Sequence, residues 1–230
     1  QHEIKLDVNS MQLGGSWMPF KRGSKPITND PKILEVFYNH IPKNKSSVLF
    51  DIGASTGSFS MLTKFNPKIS VYAFEPQPNV HKILLNNVRI NNLDTRVTTF
   101  QIALSDKETV LPLQIPKKAS MSGLATLGAP LRFAQAESVS VASSTLDSFT
   151  KQFNLKNPTH IKIDTEGAEM MVIKGGEKLI RKTKPILLLE CDEKNTVQFG
   201  YHATEIVTLL TKWGYNIIQL GNEDILCLPK

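Results

Sequence analysis

Four carboxylates each close a short apolar run: Asp51 follows 48–50, Glu75 follows 71–74, Asp164 follows 161–163 and Glu190 follows 186–189. In an open α/β sheet ligands sit outside the carboxyl ends of the strands, so acids at those ends are candidates for binding and proton transfer. Between the first two acids lies a turn, Gly53-Ala54-Ser55-Thr56-Gly57, that opens a helical stretch. Its glycines let backbone approach a ligand, and helix amides after the turn can hold a carboxylate or phosphate. Glu75, followed by Pro76, is placed to accept hydrogen bonds from two ribose hydroxyls.

The turn decides between ligands. A dinucleotide fingerprint requires G-x-G-x-x-G, and a Walker loop requires Gly-Lys-Ser/Thr after the turn; 51–57 reads D-x-G-x-x-x-G and meets neither. A carboxylate at Asp51 repels a pyrophosphate and suits an ammonium group. Acid, turn and acid in this order match the amino-acid end, ribose and adenine of S-adenosylmethionine. The mixed stretch from Gln101 through Ala103 to Leu104 suits an adenine slot with a backbone or amide contact.

The run 160–164, HIKID, alternates, so Ile161 and Ile163 face one helix layer while His160, Lys162 and Asp164 face the other. A lysine within a central parallel strand is costly unless paired, with Asp164 or Glu190 as its partner. Lys162 is then either a buried structural ion pair or a group that orients an acceptor hydroxyl. Asp164 is the first choice for a general base, because a carboxylate need only take the hydroxyl proton as the new bond forms. Glu166 and Glu169 flank a helix start, where acids are favourable, and Glu166 is kept as an acceptor-binding candidate. A divalent ion on Asp164, Glu166 and Glu190 is the alternative use of these acids; their spacing is not a dedicated ligand pattern, and the expectation is that no metal is required. His160 reads as a satisfied core histidine, and His40, His81 and His202 as helix-end or turn residues.

DIGASTGSFS (51–60), AFEPQPN (73–79), ALSD (103–106), TLD (145–147) and KIDTEGAE followed by IKGG (162–176) together resemble the FkbM family of methyltransferases. The similarity runs in consistent order from Val48 to Leu189. It implies a class I, S-adenosylmethionine-dependent O-methyltransferase, many of whose relatives act on sugars or hydroxylated natural products. The expectation is methyl transfer to a sugar hydroxyl, at a terminal deoxysugar of a glycan, with glycosyltransferase domains fused to the chain or working beside it. The rivals are a lipid-like or polyketide hydroxyl as acceptor, and a non-catalytic S-adenosylmethionine-binding domain of a glycan-assembly protein.

The positioning elements follow from periodicity. Strands are expected at 48–51, 70–75, 97–103, 138–142, 161–164, 186–190, 215–220 and 224–228, with a further strand and a long loop within 106–137. Helices are expected after Asn29/Asp30 with Pro31 in the first turn, and at 58–65, 79–91, 146–153, 167–181 and 203–213. This is a Rossmann-like, doubly wound, mostly parallel seven-stranded sheet with helices on both faces. Residues 1–28 read as an N-terminal arm and 29–230 as one methyltransferase domain; the chain begins with Gln1, which suggests excision from a longer protein. Trp17, Met18 and Phe20 of the arm either stack on a sugar or pin the arm to the core, and the arm and the loop 117–135 are expected to cover the site.

At 230 residues with 40% apolar content, the chain has length for one sizeable core, and no apolar run is long enough to span a bilayer. The net charge of +6 is dispersed, without aromatic interleaving, so a solvated basic face is expected rather than nucleic-acid binding. Cys191 and Cys227 form no C-x-x-C and read as buried free thiols, consistent with a reducing, cytoplasmic setting.

Overall fold

The computed structural model describes residues 31–117, 123–129 and 135–230. The arm with Trp17, Met18 and Phe20, the Asn29/Asp30 cap and parts of the loop 117–135 lie outside these residues.

The chain begins with α1 (Pro31–Asn39) and β1 (Ser47–Ile52), a 3-10 segment (Ser60–Lys64), β2 (Ile69–Phe74), α2 (Pro78–Ile90) and β3 (Val97–Phe100). Then come β4 (Ala103–Ser105), β5 (Thr109–Pro116), β6 (Ala136–Thr145) and α3 (Leu146–Gln152). The second half is β7 (His160–Ile163), α4 (Glu169–Gly175), α5 (Glu177–Thr183), β8 (Ile186–Glu190), α6 (Glu193–Thr196), a 3-10 turn (Val197–Phe199), α7 (Ala203–Lys212), β9 (Tyr215–Leu220) and β10 (Asp224–Pro229).

Seven strands form one sheet in the order β3-β2-β1-β7-β8-β10-β9. All pairings from β3 through β8 are parallel, and β10 runs antiparallel to both neighbours, so the sheet is mixed by one reversed strand. Strand alternation sends side chains to two cores. On one face Phe50, Ile52, Ile161, Ile163, Leu187 and Leu189 meet α3, α4, α5 and α7; on the other Leu49, Val71, Ala73, Leu188 and Leu226 meet α1, α2 and the 3-10 segment. Helices therefore cover both faces.

Four expectations change. The helix at 58–65 is only the short 3-10 segment. The strand at 97–103 breaks after Phe100, and its continuation, β4, pairs with β6 in a separate three-stranded sheet, β4-β6-β5. The helix at 167–181 starts at Glu169 and is interrupted at Gly176; glycine is required at both positions there, since an added Cβ would lie 2.0 Å from the Ser105 carbonyl oxygen at Gly175 and 2.7 Å from Leu146 at Gly176. Residues 193–196, where no helix was expected, form α6.

Local chemistry explains the boundaries that hold. Thr145 Oγ1 caps α3 by accepting the Ser148 amide at 3.1 Å, and Asp147 accepts the Lys178 and Leu179 amides that open α5. The TLD motif thus ties two helices together. His160 is 3% exposed, bonded to Thr159 Oγ1 and the His40 carbonyl, and burial lowers its pKa to about 4, so it is a neutral core histidine. Both cysteines are free and buried. No helix among the described residues is long and apolar enough to cross a membrane.

Candidate active site

A cavity of about 720 Å³ opens at the carboxyl ends of β1, β2, β7 and β8, a size common for small-molecule sites. It is lined by Gly53, Ala54, Ser55, Glu75, Pro76, Gln77, Ile102 and Ala103 on the side of β2 and β3, and by Lys162, Asp164, Glu166, Glu190 and the β9–β10 turn from Gly221 to Asp224 on the side of β7, β8 and β10, the two sets meeting where Gly53 abuts Lys162 and Asp164. Leu113, Leu124, Ala125 and Leu127 from the small sheet and its loop roof the space between.

The turn after β1 is fixed by β2. The Gly53 and Ala54 amides both donate to the Phe74 carbonyl, and the Ser55 amide donates to Glu75 Oε2 at 2.8 Å. Glu75 Oε1 accepts the Gln77 amide at 2.9 Å. The carboxylate therefore orders two loops, and each oxygen keeps acceptor capacity for a ligand hydroxyl. Burial raises its pKa to about 7, against the opposing pull of the two amide bonds. Gly53 has φ +71, and a Cβ there would sit 1.7 Å from the Asp164 carbonyl oxygen, so only glycine lets the turn lie against the end of β7.

Beneath the turn is a buried ionic centre. Asp51 and Lys162 are partners in the β1–β7 register, with Lys162 Nζ 3.7 Å from Asp51 Oδ1, 3.3 Å from Asp164 Oδ2 and 2.7 Å from the Gly53 carbonyl. Ser60 Oγ donates to Asp51 Oδ2 at 2.6 Å. Burial acts to lower the Lys162 pKa, but the charges of Asp164 and Asp51 outweigh it and leave the net shift upward. For Asp51 burial dominates and pushes the carboxyl upward despite Lys162 and Ser60. The lysine joins strand, turn and the one carboxylate of the group that reaches the cavity, Asp164, whose side chain is 44% exposed.

The turn after β7 is held from within. Glu169 Oε1 accepts from the Thr165 amide, the Thr165 hydroxyl and the Gly167 amide, and Tyr201 donates to the Gly167 carbonyl at 2.7 Å. Glu169 is thus the clasp of this turn. Glu166, at φ 53, projects to Asn195. One oxygen from each of Asp164, Glu166 and Glu190, the three acids grouped from sequence as the alternative ion-holding set, lies within 4.8 Å of the others. Burial, then the charges of Asp164, Glu166, Glu169 and Asp224, holds the Glu190 pKa well above the usual carboxylate range.

Three of the sequence-derived cofactor residues do not line the cavity. Asp51 lies inside β1 rather than beyond it, is 0% exposed, and is neutralised by Lys162, so an ammonium group has no access to it. Gly57 serves packing: at φ +102 it leaves room for Leu84, which a Cβ would meet at 2.6 Å. Gln101 is exposed, because the chain breaks between β3 and β4 and turns Ile102 and Ala103 inward instead. Residues that sequence reasoning missed include Gln77, Asn195 and the hairpin residues 221–224, whereas Ile102 falls within the stretch read as the adenine slot. The Gly221-Asn222 pair between two strands was the available signal for the hairpin.

An open sheet with one reversed strand, a glycine turn locked to the acid of β2, and a cavity over the central strand ends define an α/β methyltransferase fold. A solved FkbM methyltransferase from Methylobacillus flagellatus KT superposes with a TM-score of 0.55 at 18% identity, over 87% of this chain and 51% of that one. The chain belongs to the FkbM methyltransferase family: the model of the methyltransferase FkbM domain matches residues 51–217. Among curated relatives, methyltransferase sdnD of Sordaria araneosa is 28% identical over 61% of this chain and 66% of its own length. The 2-O-methyltransferase NoeI of Sinorhizobium fredii is 26% identical over 76% of this chain and 75% of its own. The chain thus spans just under two thirds of sdnD and about half of the Methylobacillus protein.

Proposed function

We propose that the chain is an S-adenosylmethionine-dependent O-methyltransferase acting on a sugar hydroxyl, at a terminal deoxysugar of a glycan. The observation that carries this reading is one continuous cavity with a ribose-type carboxylate, Glu75, on one side and Asp164 among carboxylates on the other. The residues fit the cofactor. Glu75 has acceptor capacity for two ribose hydroxyls, Gln77, Ile102 and Ala103 border the adenine side, and the turn 53–55 borders the amino-acid end. Bound there, the cofactor supplies an electrophilic methyl group on a sulfonium.

The chain's own work is alignment and proton removal. Asp164 takes the acceptor hydroxyl proton as oxygen attacks, and Lys162 fixes the orientation of that carboxylate from below. Glu166 and Glu190 accept hydrogen bonds from neighbouring acceptor hydroxyls. The apolar roof excludes water and lies over the face of a deoxysugar. Transfer to oxygen is favoured by the likeness to a 2-O-methyltransferase, and a hydroxyl-rich acceptor such as a sugar by the carboxylates gathered beside Asp164; the leucine-lined roof favours a lipid-like or polyketide hydroxyl as the second reading. The same proposal takes 29–230 as one domain, with glycosyltransferases as fused or collaborating partners, in the cytoplasm where two buried thiols stay reduced.

Calorimetric titration with S-adenosylmethionine, its demethylated product and NAD tests the cofactor, followed by labelled methyl transfer to deoxysugar-terminated oligosaccharides and to hydroxylated lipids. Micromolar binding of the two sulfur ligands but not NAD is expected. Binding of NAD alone, or of none, sinks the proposal.

A further inference from the structure

The segment 192–199 lies behind the acceptor end and contributes a residue with no counterpart among the acids so far discussed. Asn195, 1% exposed, directs Nδ2 to Glu166 Oε2 at 2.9 Å and to Glu190 Oε2 at 3.3 Å. Glu166 comes from the turn after β7 and Glu190 from the end of β8, so a single amide links carboxylates of two separate elements. The same segment also blocks the turn: a Cβ on Gly167 would lie 2.7 Å from the Asn195 carbonyl oxygen and 2.6 Å from the Phe199 ring. On the opposite side, Thr126 Oγ1 donates to the Glu166 carbonyl at 2.9 Å. Glu166 is therefore fixed through both backbone and side chain, in a left-handed conformation that non-glycine residues rarely adopt.

Carboxylates this close repel one another, and a donor shared between them lowers the cost of keeping two oxygens on one side of a cavity. We infer that Asn195 is a positioning residue for the acceptor, acting through Glu166 and Glu190, whose oxygens its amide gathers beside Asp164. This rests on the reading of that end of the cavity as the acceptor end. Asn195 touches neither reacting atom; its effect is on where two acceptor-binding carboxylates point and on how readily they ionise.

The test needs no acceptor. In protein labelled with carboxyl-13C glutamate, Glu190 is followed by NMR through a pH titration in the native chain, Asn195→Ala and Asn195→Asp. Glu190 is faced by Asp164, Glu166, Glu169, Asp224 and Lys162, all of which remain. Loss of the donor should raise the Glu190 midpoint, and an added anion should raise it further, by about one pH unit or more. Glu75, on the other side of the cavity, should titrate unchanged. Affinity for S-adenosylmethionine should stay within about threefold of the native value, since the sites are separate.

In the native chain itself, the Asn195 side-chain amide resonance should shift with the same midpoint as Glu190, which keeps the inference testable if a variant does not fold. Superimposable Glu190 curves, or an amide resonance that ignores Glu190, would overturn it. Calorimetry with Mn²⁺ alone is the further control, and micromolar binding to the native chain would assign the gathering of the carboxylates to an ion instead. Failure to bind S-adenosylmethionine in the native chain would defeat the proposed function while leaving the Asn195 titrations as they are.

Discussion

Replacing Lys162 by Met removes the cation that lies 3.7 Å from Asp51, a carboxylate that is 0% exposed. Methionine fills nearly the same volume, so the loss is mainly electrostatic. Breaking one side of a buried ion pair costs about 3–5 kcal/mol, because the remaining charge keeps its desolvation penalty. For a chain of this size each kcal/mol moves the melting temperature by about 2–4 °C, so a fall of roughly 6–20 °C is expected. The double variant Asp51→Asn/Lys162→Met removes both charges and keeps an oxygen for Ser60; it should regain about 2 kcal/mol or more over the single variant.

The pH dependence has a definite sign. Burial already raises Asp51, and without Lys162 it rises further. The folded single variant then holds a proton that the unfolded chain releases at its ordinary pKa of about 4, so its stability falls as pH rises above that value and recovers on acidification. Urea unfolding of the native chain, both singles and the double, at mildly acidic and neutral pH, measures all of this. A coupling energy below about 0.5 kcal/mol between positions 51 and 162 would refute the buried-pair reasoning.

Cofactor affinity should depend on Glu75. Burial pushes its carboxyl up to about 7, and ribose hydroxyls donate best to the ionised form, so S-adenosylmethionine binding should weaken as pH falls below 7, approaching about tenfold per pH unit. Titration at pH 5.5–7, below the range of the ligand's own amine, checks this, and a flat profile refutes it. Asp164→Asn should bind cofactor within a few-fold of the native chain yet lose about 10²–10⁴ in turnover, measured on the acceptor identified by labelled methyl transfer; full activity removes Asp164 as base. Gly53→Ala should abolish cofactor binding and lower stability, since its methyl would overlap the Asp164 carbonyl. Unchanged cofactor affinity in that variant would show that the turn relaxes without cost. Activity should survive chelator treatment, and recovery only with added magnesium would show the carboxylates to hold an ion.

Much of the fold was legible because apolar runs of strand length and helices of 3.6 periodicity alternate along the chain, each pattern set by burial of one face. The acids closing those runs marked the cavity correctly at Glu75, Asp164 and Glu190. Asp51 misled because a carboxylate at a strand end looks the same in sequence whether it faces ligand or core; a one-residue extension of β1 to Ile52 put it beneath the turn. Gln101 misled because the break between β3 and β4 depends on a pairing with β6 that lies far along the chain.

The order of strand, turn and helix, the glycine at position 53 and the pairing need of Lys162 follow from local sterics and the cost of burying charge, and the sequence by itself determined them. Tertiary structure alone decided how closely the grouped carboxylates approach and which residue links them. Asp164, Glu166 and Glu190 come from a strand end, a left-handed turn and a neighbouring strand, and Asn195 reaches two of them from a helix of four residues. Such contacts depend on how separate elements pack in three dimensions, and spacing along one strand or helix carries no record of them.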